Sequence, residues 1–103
     1  MDLNQSDWKL QCDNNDNSVI IDVRADHEVA DGVIPNAINI DIHGGQLFID
    51  KINKLDKSKS YFLYCKAGSR SAQACSIMNQ LGFDKTYNLL GGFMNWNGDK
   101  QIT

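Results

Sequence analysis

Five consecutive apolar or aromatic residues, Tyr61-Phe-Leu-Tyr-Cys65, leave few options for the fold of this chain. The run is too short for a typical helix, and it lacks the alternation of a strand that faces water on one side. It is typical of a strand covered on both faces, as in a parallel sheet with helices above and below. The run therefore predicts a central parallel strand that ends at Cys65.

The rest of the chain alternates between strand-like and helix-like patterns. Val19-Ile-Ile-Asp-Val23 predicts a second central strand, and shorter strands are predicted at residues 37–40 and 86–89. The spacing of apolar residues predicts helices around residues 47–55 and 69–81, and a first helix is predicted over residues 4–12. This alternation predicts an α/β domain that binds ligands at the carboxyl ends of its strands, where Cys65 lies.

Length and charge exclude several classes of protein. The chain has 103 residues and a formal net charge of −3. We expect one domain over residues 1–103, and the negative charge does not favour nucleic acid or an anionic membrane as a partner. No apolar run approaches the ~20 residues of a membrane helix, and the first residues are acidic where a signal peptide is basic. We therefore expect a cytoplasmic protein, of an oligomeric state that the sequence does not indicate.

Three cysteines occur, an odd number without C-x-x-C spacing, so no disulfide framework is expected. Cys12 and Cys75 are expected in the core. Only Cys65 has neighbours that indicate chemistry, because a loop and then a helix follow the strand that it ends. The residues predicted to form this anion-binding loop are Lys66, Ala67, Gly68, Ser69 and Arg70.

The segment after Cys65 is expected to stabilise a thiolate. Backbone N–H groups at a helix N-terminus attract anions, and a cysteine held there has a pKa below the usual ~8.5. Lys66 and Arg70 are expected to reinforce this effect, while Gly68 supplies a positive φ and Ser69 caps the helix. An isolated cysteine is more often a buried core residue, and the combination of strand, loop and helix favours the nucleophile instead.

Three segments together resemble the rhodanese family. Cys65-Lys-Ala-Gly-Ser-Arg-Ser71 resembles its active-site loop, and Leu89-Leu-Gly-Gly-Phe-Met-Asn-Trp96 resembles its C-terminal signature. The first signature is matched by Val19-Ile-Ile-Asp-Val-Arg24, Glu28, Gly32, Ile34-Pro35 and Ala37-Ile-Asn-Ile40. The sequence departs from the usual family pattern at Val33, where many relatives have His, and at Asn95, where Ala is common.

The resemblance implies a rhodanese-like α/β fold, with a central five-stranded parallel sheet flanked by helices on both faces. It also implies that Cys65 carries a sulfur atom and that the loop amides bind the terminal sulfur. Asp22, Arg24 and Glu28 match signature positions and are expected to brace the loop. The alternative for these three is a surface ion pair worth only ~0–1 kcal/mol.

The function implied by the resemblance is that of a thiosulfate sulfurtransferase without a metal or organic cofactor. Cys65 would take sulfur from an anionic donor such as thiosulfate and pass it to cyanide in an assay, or to a thiol or protein in the cell. One alternative is a persulfide relay or binding module with little activity on small donors. A second is a Cys-dependent phosphatase or arsenate reductase, whose loop is one residue longer than the four residues between Cys65 and Arg70.

The remaining motifs predict structural roles. His27 and His43 lack the spacing of a zinc site, so no metal site is predicted. The pairs Gly44-Gly45 and Gly91-Gly92 lack the Lys-Ser/Thr of a phosphate-binding loop. Both pairs are predicted to start helices where backbone segments pack closely.

Overall fold

The computed structural model describes residues 1–102, in which strands and helices alternate. The strands are β1 (Asp2–Leu3), β2 (Ser18–Asp22), β3 (Ile38–Asn39), β4 (Ser60–Tyr64) and β5 (Thr86–Leu89). The α-helices are α1 (Gln5–Asp13), α2 (Asp26–Val29), α3 (Gln46–Asn53) and α4 (Ser69–Gln80), with short 3₁₀ helices at Ile42–Gly44 and Phe93–Asn95. None of the helices in the described part is long and apolar enough to cross a membrane.

The five strands form one parallel sheet in the order β1-β5-β4-β2-β3. The predicted α/β class and five-stranded parallel sheet are therefore confirmed. β4 lies at the centre, with β2 on one side and β5 on the other. Asp22, the last residue of β2, pairs with Tyr64, the last residue of β4. Because parallel strands end at the same edge, the residues after β2 and β4 meet there.

β4 is buried on both faces, as the apolar run predicts. Tyr61 and Leu63 face the cluster under α3 and α4, whereas Phe62 and Tyr64 face the cluster under α1. The first cluster also contains Ile21, Val23, Ile40, Phe48, Ile52, Cys65, Ala74, Cys75, Met78 and Phe83. The second also contains Leu3, Trp8, Cys12, Ile34, Leu89 and Trp96. The continuous apolar run is thus the consequence of two cores that share one strand.

The end of α4 agrees with the predicted stop before β5. Gly82 N–H donates to the Asn79 carbonyl at 3.2 Å, and Phe83 N–H donates to the Met78 carbonyl at 3.0 Å. This pair of bonds satisfies carbonyls that the helix leaves free at its C-terminus. Phe83 is then buried against the core, which anchors the turn into β5.

Two elements are absent from the sequence-based expectation, and one is shorter than expected. β1 has two residues, and α2 is a single polar turn, so neither carries enough apolar residues to show a period. β1 is held by pairing with β5, through Asp2 opposite Asn88 and Leu3 opposite Leu89. β3 covers only Ile38–Asn39 of the predicted residues 37–40.

Substitution of Trp8 by Ala should destabilise the protein by about 3–5 kcal/mol, because a large side chain leaves the core. Trp8 is 1% exposed and contacts Phe62 and Trp96 edge-on, with ring centroids 5.8 and 5.6 Å away. The matched control is Leu10→Ala on the same helix, where the side chain is 58% exposed and the loss should stay within about 0.5 kcal/mol. Urea unfolding measures both, and equal losses would contradict the assigned core.

Candidate active site

Cys65 lies directly after β4 and immediately before a tight loop that leads into α4. The residue is 1% exposed. Gly68 N–H donates to Cys65 Sγ at 3.1 Å, and the Ser71 hydroxyl lies 3.4 Å from the same sulfur. Gly68 has φ of +110°, a conformation that glycine adopts without steric cost, which turns its N–H back toward the sulfur.

These hydrogen bonds favour the thiolate form of Cys65. Burial is the largest single influence and raises the pKa of Cys65. The Ser71 hydroxyl and the backbone N–H groups of Ser71, Gly68 and Ala67 lower it by more in total, so the pKa lies below its ordinary value. The main lowering influences are therefore hydrogen-bond donors, rather than the charges of Lys66 and Arg70 on which the sequence-based expectation also relied.

Arg70 connects α4 to α2 through an ion pair with Glu28. Its Nη1 and Nη2 lie 2.6 and 2.8 Å from the two Glu28 carboxylate oxygens, and both side chains are only partly exposed. The Arg70 guanidinium is the main cause that lowers the pKa of Glu28 to about 2. Two parallel bonds to one carboxylate fix the guanidinium in position. Glu28 therefore holds the start of α4 against the segment that follows β2.

Asp22 and Arg24 form a buried ion pair at the end of β2, with 0% and 3% exposure. Arg24 Nη2 lies 2.7 Å from Asp22 Oδ2, and Arg24 Nε lies 3.0 Å from Asp22 Oδ1. Arg24 also donates to the carbonyls of Gly32 and Glu28. A surface ion pair is therefore the wrong description of Asp22 and Arg24, because both residues are buried. Breaking such a pair would leave an uncompensated buried charge.

The expectation that Ser69 caps α4 is wrong. The N-cap is Gly68, Ser69 is the first helical residue, and no side chain caps this helix end. A capping side chain must belong to the residue before the first helical one. The turn at Gly68 brings the chain into helical conformation one residue earlier than the capping assignment requires.

Gly92 allows the segment that follows it, part of the C-terminal signature at residues 89–96, to pack against the backbone of the Cys65 loop. The N–H groups of Phe93 and Met94 donate to the carbonyls of Cys65 and Lys66, at 2.8 and 3.0 Å. A Cβ on Gly92 would lie 2.4 Å from the Lys66 carbonyl oxygen, so only glycine fits. The predicted close packing is confirmed here, but at Gly45 it is wrong, since a Cβ there would meet no atom within 4 Å.

Two residues that complete the site, Ser71 and Asn88, have no role predicted from the sequence. Ser71 is fully buried, and its hydroxyl reaches both Cys65 Sγ and Asn88 Oδ1. The i, i+6 spacing from Cys65, which places Ser71 in the first turn of the helix after the tight loop, is a usable signal. Asn88 gives no such signal, because it reaches the site from β5 across the sheet.

Lys66 follows Cys65 in the chain, is exposed, and lines a cleft of about 180 Å³ with Arg24, Glu28, Asp31, Phe93 and Met94. Arg24 is paired with Asp22, and Lys66 forms no ion pair within residues 1–102. In the same described part, no three His, Cys, Asp or Glu side chains come together as metal ligands. The arrangement is suited to a nucleophilic sulfur with an anion beside it.

Comparisons with known proteins find relatives along most of the chain. The family model described as Rhodanese-like domain matches residues 6–99. A Bacillus subtilis protein named as a sulfurtransferase, YtwF, is 44% identical over 80 residues, which cover 78% of this chain and 74% of that protein. A sulfurtransferase from Allochromatium vinosum is 33% identical over 78 residues, which cover 76% of this chain and 70% of that protein.

Other relatives are longer, and solved structures share the fold. A tRNA uridine(34) hydroxylase from Cytophaga hutchinsonii is 32% identical over 96 residues, 91% of this chain but 30% of that enzyme. A rhodanese-like domain protein from Staphylococcus aureus has a TM-score of 0.83 at 28% identity and covers 99% of this chain and 97% of that one. A rhodanese-related protein from Thermoplasma volcanium has a TM-score of 0.84 at 28% identity, with coverage of 99% and 98%.

Substitution of Gly92 by Ala should displace the Cys65 loop, because the new Cβ overlaps the Lys66 carbonyl. The matched control is Gly45→Ala, since Gly45 has φ of +60° against +61° at Gly92 but open space around it. Gly45→Ala should lose roughly 1–3 kcal/mol of stability through backbone strain. Gly92→Ala should lose more, because the overlap of its Cβ with the Lys66 carbonyl adds to the same strain. Only Gly92→Ala should shift the amide resonances of residues 66–68 in NMR spectra, and unchanged resonances would contradict the packing described.

Proposed function

The chain belongs to the rhodanese-like domain family, and from this membership we propose that it is a sulfurtransferase that carries sulfur as a persulfide on Cys65. The observation that carries the proposal is the ring of donors around Cys65 Sγ, led by Gly68 N–H at 3.1 Å. Sulfurtransferase names among the relatives support the general reaction. The donor, the acceptor and the roles of individual residues are inferred from the chemistry of the site.

The first half-reaction loads the enzyme with sulfur. The Cys65 thiolate attacks the outer sulfur of thiosulfate, and a new sulfur–sulfur bond forms as the one to the sulfite group breaks. Sulfite leaves with the bonding electron pair, and the negative charge of the thiolate passes to the outer sulfur of the persulfide. The N–H groups of Ala67 and Gly68 and the helix N-terminus are suited to stabilise this anion.

The second half-reaction unloads the sulfur. A nucleophilic acceptor attacks the outer sulfur and takes it, while the bonding pair returns to Cys65 Sγ as a thiolate. With cyanide as the acceptor the product is thiocyanate, and with a small thiol or a protein thiolate it is a new persulfide. Both half-reactions balance without a metal or an organic cofactor.

The contacts of Asp22, Arg24 and Glu28 support the bracing roles predicted for them. They support the same role for Arg70, which was predicted as part of the anion-binding loop. Arg70 is fully engaged by Glu28 through two bonds, and Arg24 is engaged by Asp22. We assign these four residues to holding the loop rather than to contact with the substrate. The rigid loop keeps the backbone donors aimed at the sulfur throughout both half-reactions, which reduces the reorganisation that each step requires.

Incubation with thiosulfate should add one sulfur atom to the parent protein and none to Cys65→Ser, as measured by intact-mass analysis. The matched control is Cys12→Ala, which should still take up sulfur, because burial raises the pKa of Cys12 and keeps it a thiol. Burial likewise raises the pKa of Cys75 to about 11. Sulfur uptake by Cys65→Ser, or none by the parent, would contradict the proposal; hydrolysis of aryl phosphates that depends on Cys65 would favour the phosphatase alternative.

Substitution of Lys66 by Ala should raise the Michaelis constant for thiosulfate roughly two- to fivefold with little change in kcat, the effect of losing one exposed charge contact. The cleft contains two cations, Arg24 and Lys66. Arg24 is paired with Asp22, whereas no carboxylate within residues 1–102 pairs with Lys66. Lys59→Ala is the control, because Lys59 precedes β4 and so lies at the opposite edge of the sheet. Steady-state kinetics test this, and an unchanged constant for Lys66→Ala would exclude charge recognition by Lys66.

A further inference from the structure

The Ser71 hydroxyl has more acceptors than it can serve. Its oxygen lies 3.4 Å from Cys65 Sγ, 3.3 Å from the Gly68 carbonyl oxygen and 2.5 Å from Asn88 Oδ1. A serine hydroxyl carries one hydrogen, so it donates fully to only one acceptor at a time. Ser71 and Asn88 are 0% and 2% exposed, so water does not compete for this hydrogen.

The orientation of the Asn88 amide is determined by its other partners. Asn88 Nδ2 donates to the Gly68 carbonyl and to Asp2 Oδ1, both at 3.1 Å. These two acceptors use both hydrogens of the amide nitrogen, so Oδ1 must point toward Ser71. Asn88 therefore contacts the Cys65 loop twice, once at the Gly68 backbone and once through the Ser71 hydroxyl.

We propose that Asn88 is a positioning residue of the sulfur-transfer site, which holds the Ser71 hydroxyl while Cys65 Sγ is uncharged and releases it to Sγ when the sulfur is a thiolate. The proposal rests on the function proposed for Cys65 and adds to it a residue from β5. Asn88 touches neither the sulfur nor the substrate directly in this arrangement. It acts on the sulfur through the Ser71 hydroxyl, and its bond to the Gly68 carbonyl holds its own amide in orientation.

The relative strength of the acceptors gives the direction of the exchange. A thiol sulfur is a weak acceptor, so the hydroxyl donates to the amide oxygen when Cys65 is protonated. A thiolate is a charged acceptor and forms a stronger bond, so the hydroxyl then turns to Sγ. In the persulfide the charge lies on the outer sulfur, and the hydroxyl returns to Asn88. Asn88 thus favours the states in which Sγ is neutral, including the loaded enzyme.

Charged groups reach the site from several elements, and within residues 1–102 none of them bonds to the Ser71 hydroxyl. Arg70 of α4 is paired with Glu28 of α2, and Arg24 is paired with Asp22 at the end of β2. Asp2 of β1 accepts from Asn88, and Lys66 lines the cleft. Ser71→Ala leaves all of these groups with their partners, whereas Asn88→Leu removes the bond to Asp2. Comparison of Asn88→Leu in the parent and in the Ser71→Ala background therefore separates the contribution of the hydroxyl from that of Asp2.

Substitution of Asn88 by Leu should lower the pKa of Cys65, because the Ser71 hydroxyl no longer has to give up its bond to Asn88 Oδ1 in order to donate to the thiolate. The decrease should be roughly half a unit to one unit, which corresponds to the free energy of one hydrogen bond. Ser71→Ala should raise it, because the thiolate loses a donor. In the Ser71→Ala background, Asn88→Leu should cause no further change. The thiolate absorbance at 240 nm, as the difference between each protein and its Cys65→Ser counterpart, gives each pKa.

A matched control separates this role from general support of the fold. Thr86→Val removes another bond between β5 and α4, a partly buried one from Thr86 Oγ1 to Asn79 Oδ1 at 2.7 Å, away from the loop. This variant should leave the pKa of Cys65 unchanged. A purely structural Asn88 would loosen the Gly68 loop on substitution and raise the pKa of Cys65. A raised or unchanged pKa in Asn88→Leu, or an equal change in the Ser71→Ala background, would overturn the proposal.

The unsubstituted protein provides a second measurement that does not depend on whether the Ser71 and Asn88 variants fold. The side-chain amide resonances of Asn88 should shift with a midpoint at the pKa of Cys65, and this shift should be absent in Cys65→Ala. Resonances that do not respond to Cys65 ionisation would overturn the proposal. Both titrations use the resting protein without a sulfur donor, so they succeed or fail independently of whether Cys65 takes up sulfur from thiosulfate.

Discussion

The rest of the structure depends on the burial of β4 on both faces. Because β4 pairs with β2 and β5 in parallel, each connection must cross the sheet, and helices cover both sides. All strands then end at one edge, where the loop after β4 meets the segments after β2 and β5. The site is therefore the place where three backbone segments that are neighbours in space extend beyond their strands and bond to one another instead.

At that edge, burial and hydrogen bonding act on Cys65 in opposite directions. Removal of the sulfur from water disfavours the thiolate, whereas converging donors favour it, and the donors prevail. They converge only because the loop is held from behind by the N–H groups of Phe93 and Met94, and from the side by the Arg70–Glu28 pair. The energetic requirement of a reactive sulfur is thus met by the Ser71 hydroxyl and rigidly held backbone N–H groups rather than by a neighbouring positive charge.

The elements predicted from the sequence agree with the structure where the apolar pattern is long, and they are missed where the element is short. Three elements have strong apolar patterns: the strands predicted at residues 19–23 and 61–65 and the helix after Gly68. All three are present within one or two residues of the expected bounds. β1 and α2 have two and four residues, too few to show a period. The capping role of Ser69 fails because the turn at Gly68 shifts the helix start by one residue, a detail that composition does not encode.

What the sequence determined by itself is the local geometry: the central strand, the loop whose glycine turns an N–H toward Cys65, and the helix that follows. These follow from short-range preferences of the chain. Only the tertiary structure decided which distant groups complete the site. Glu28 reaches Arg70 and Asn88 reaches Ser71 across 42 and 17 residues of sequence, through contacts that exist because the sheet aligns the ends of its strands.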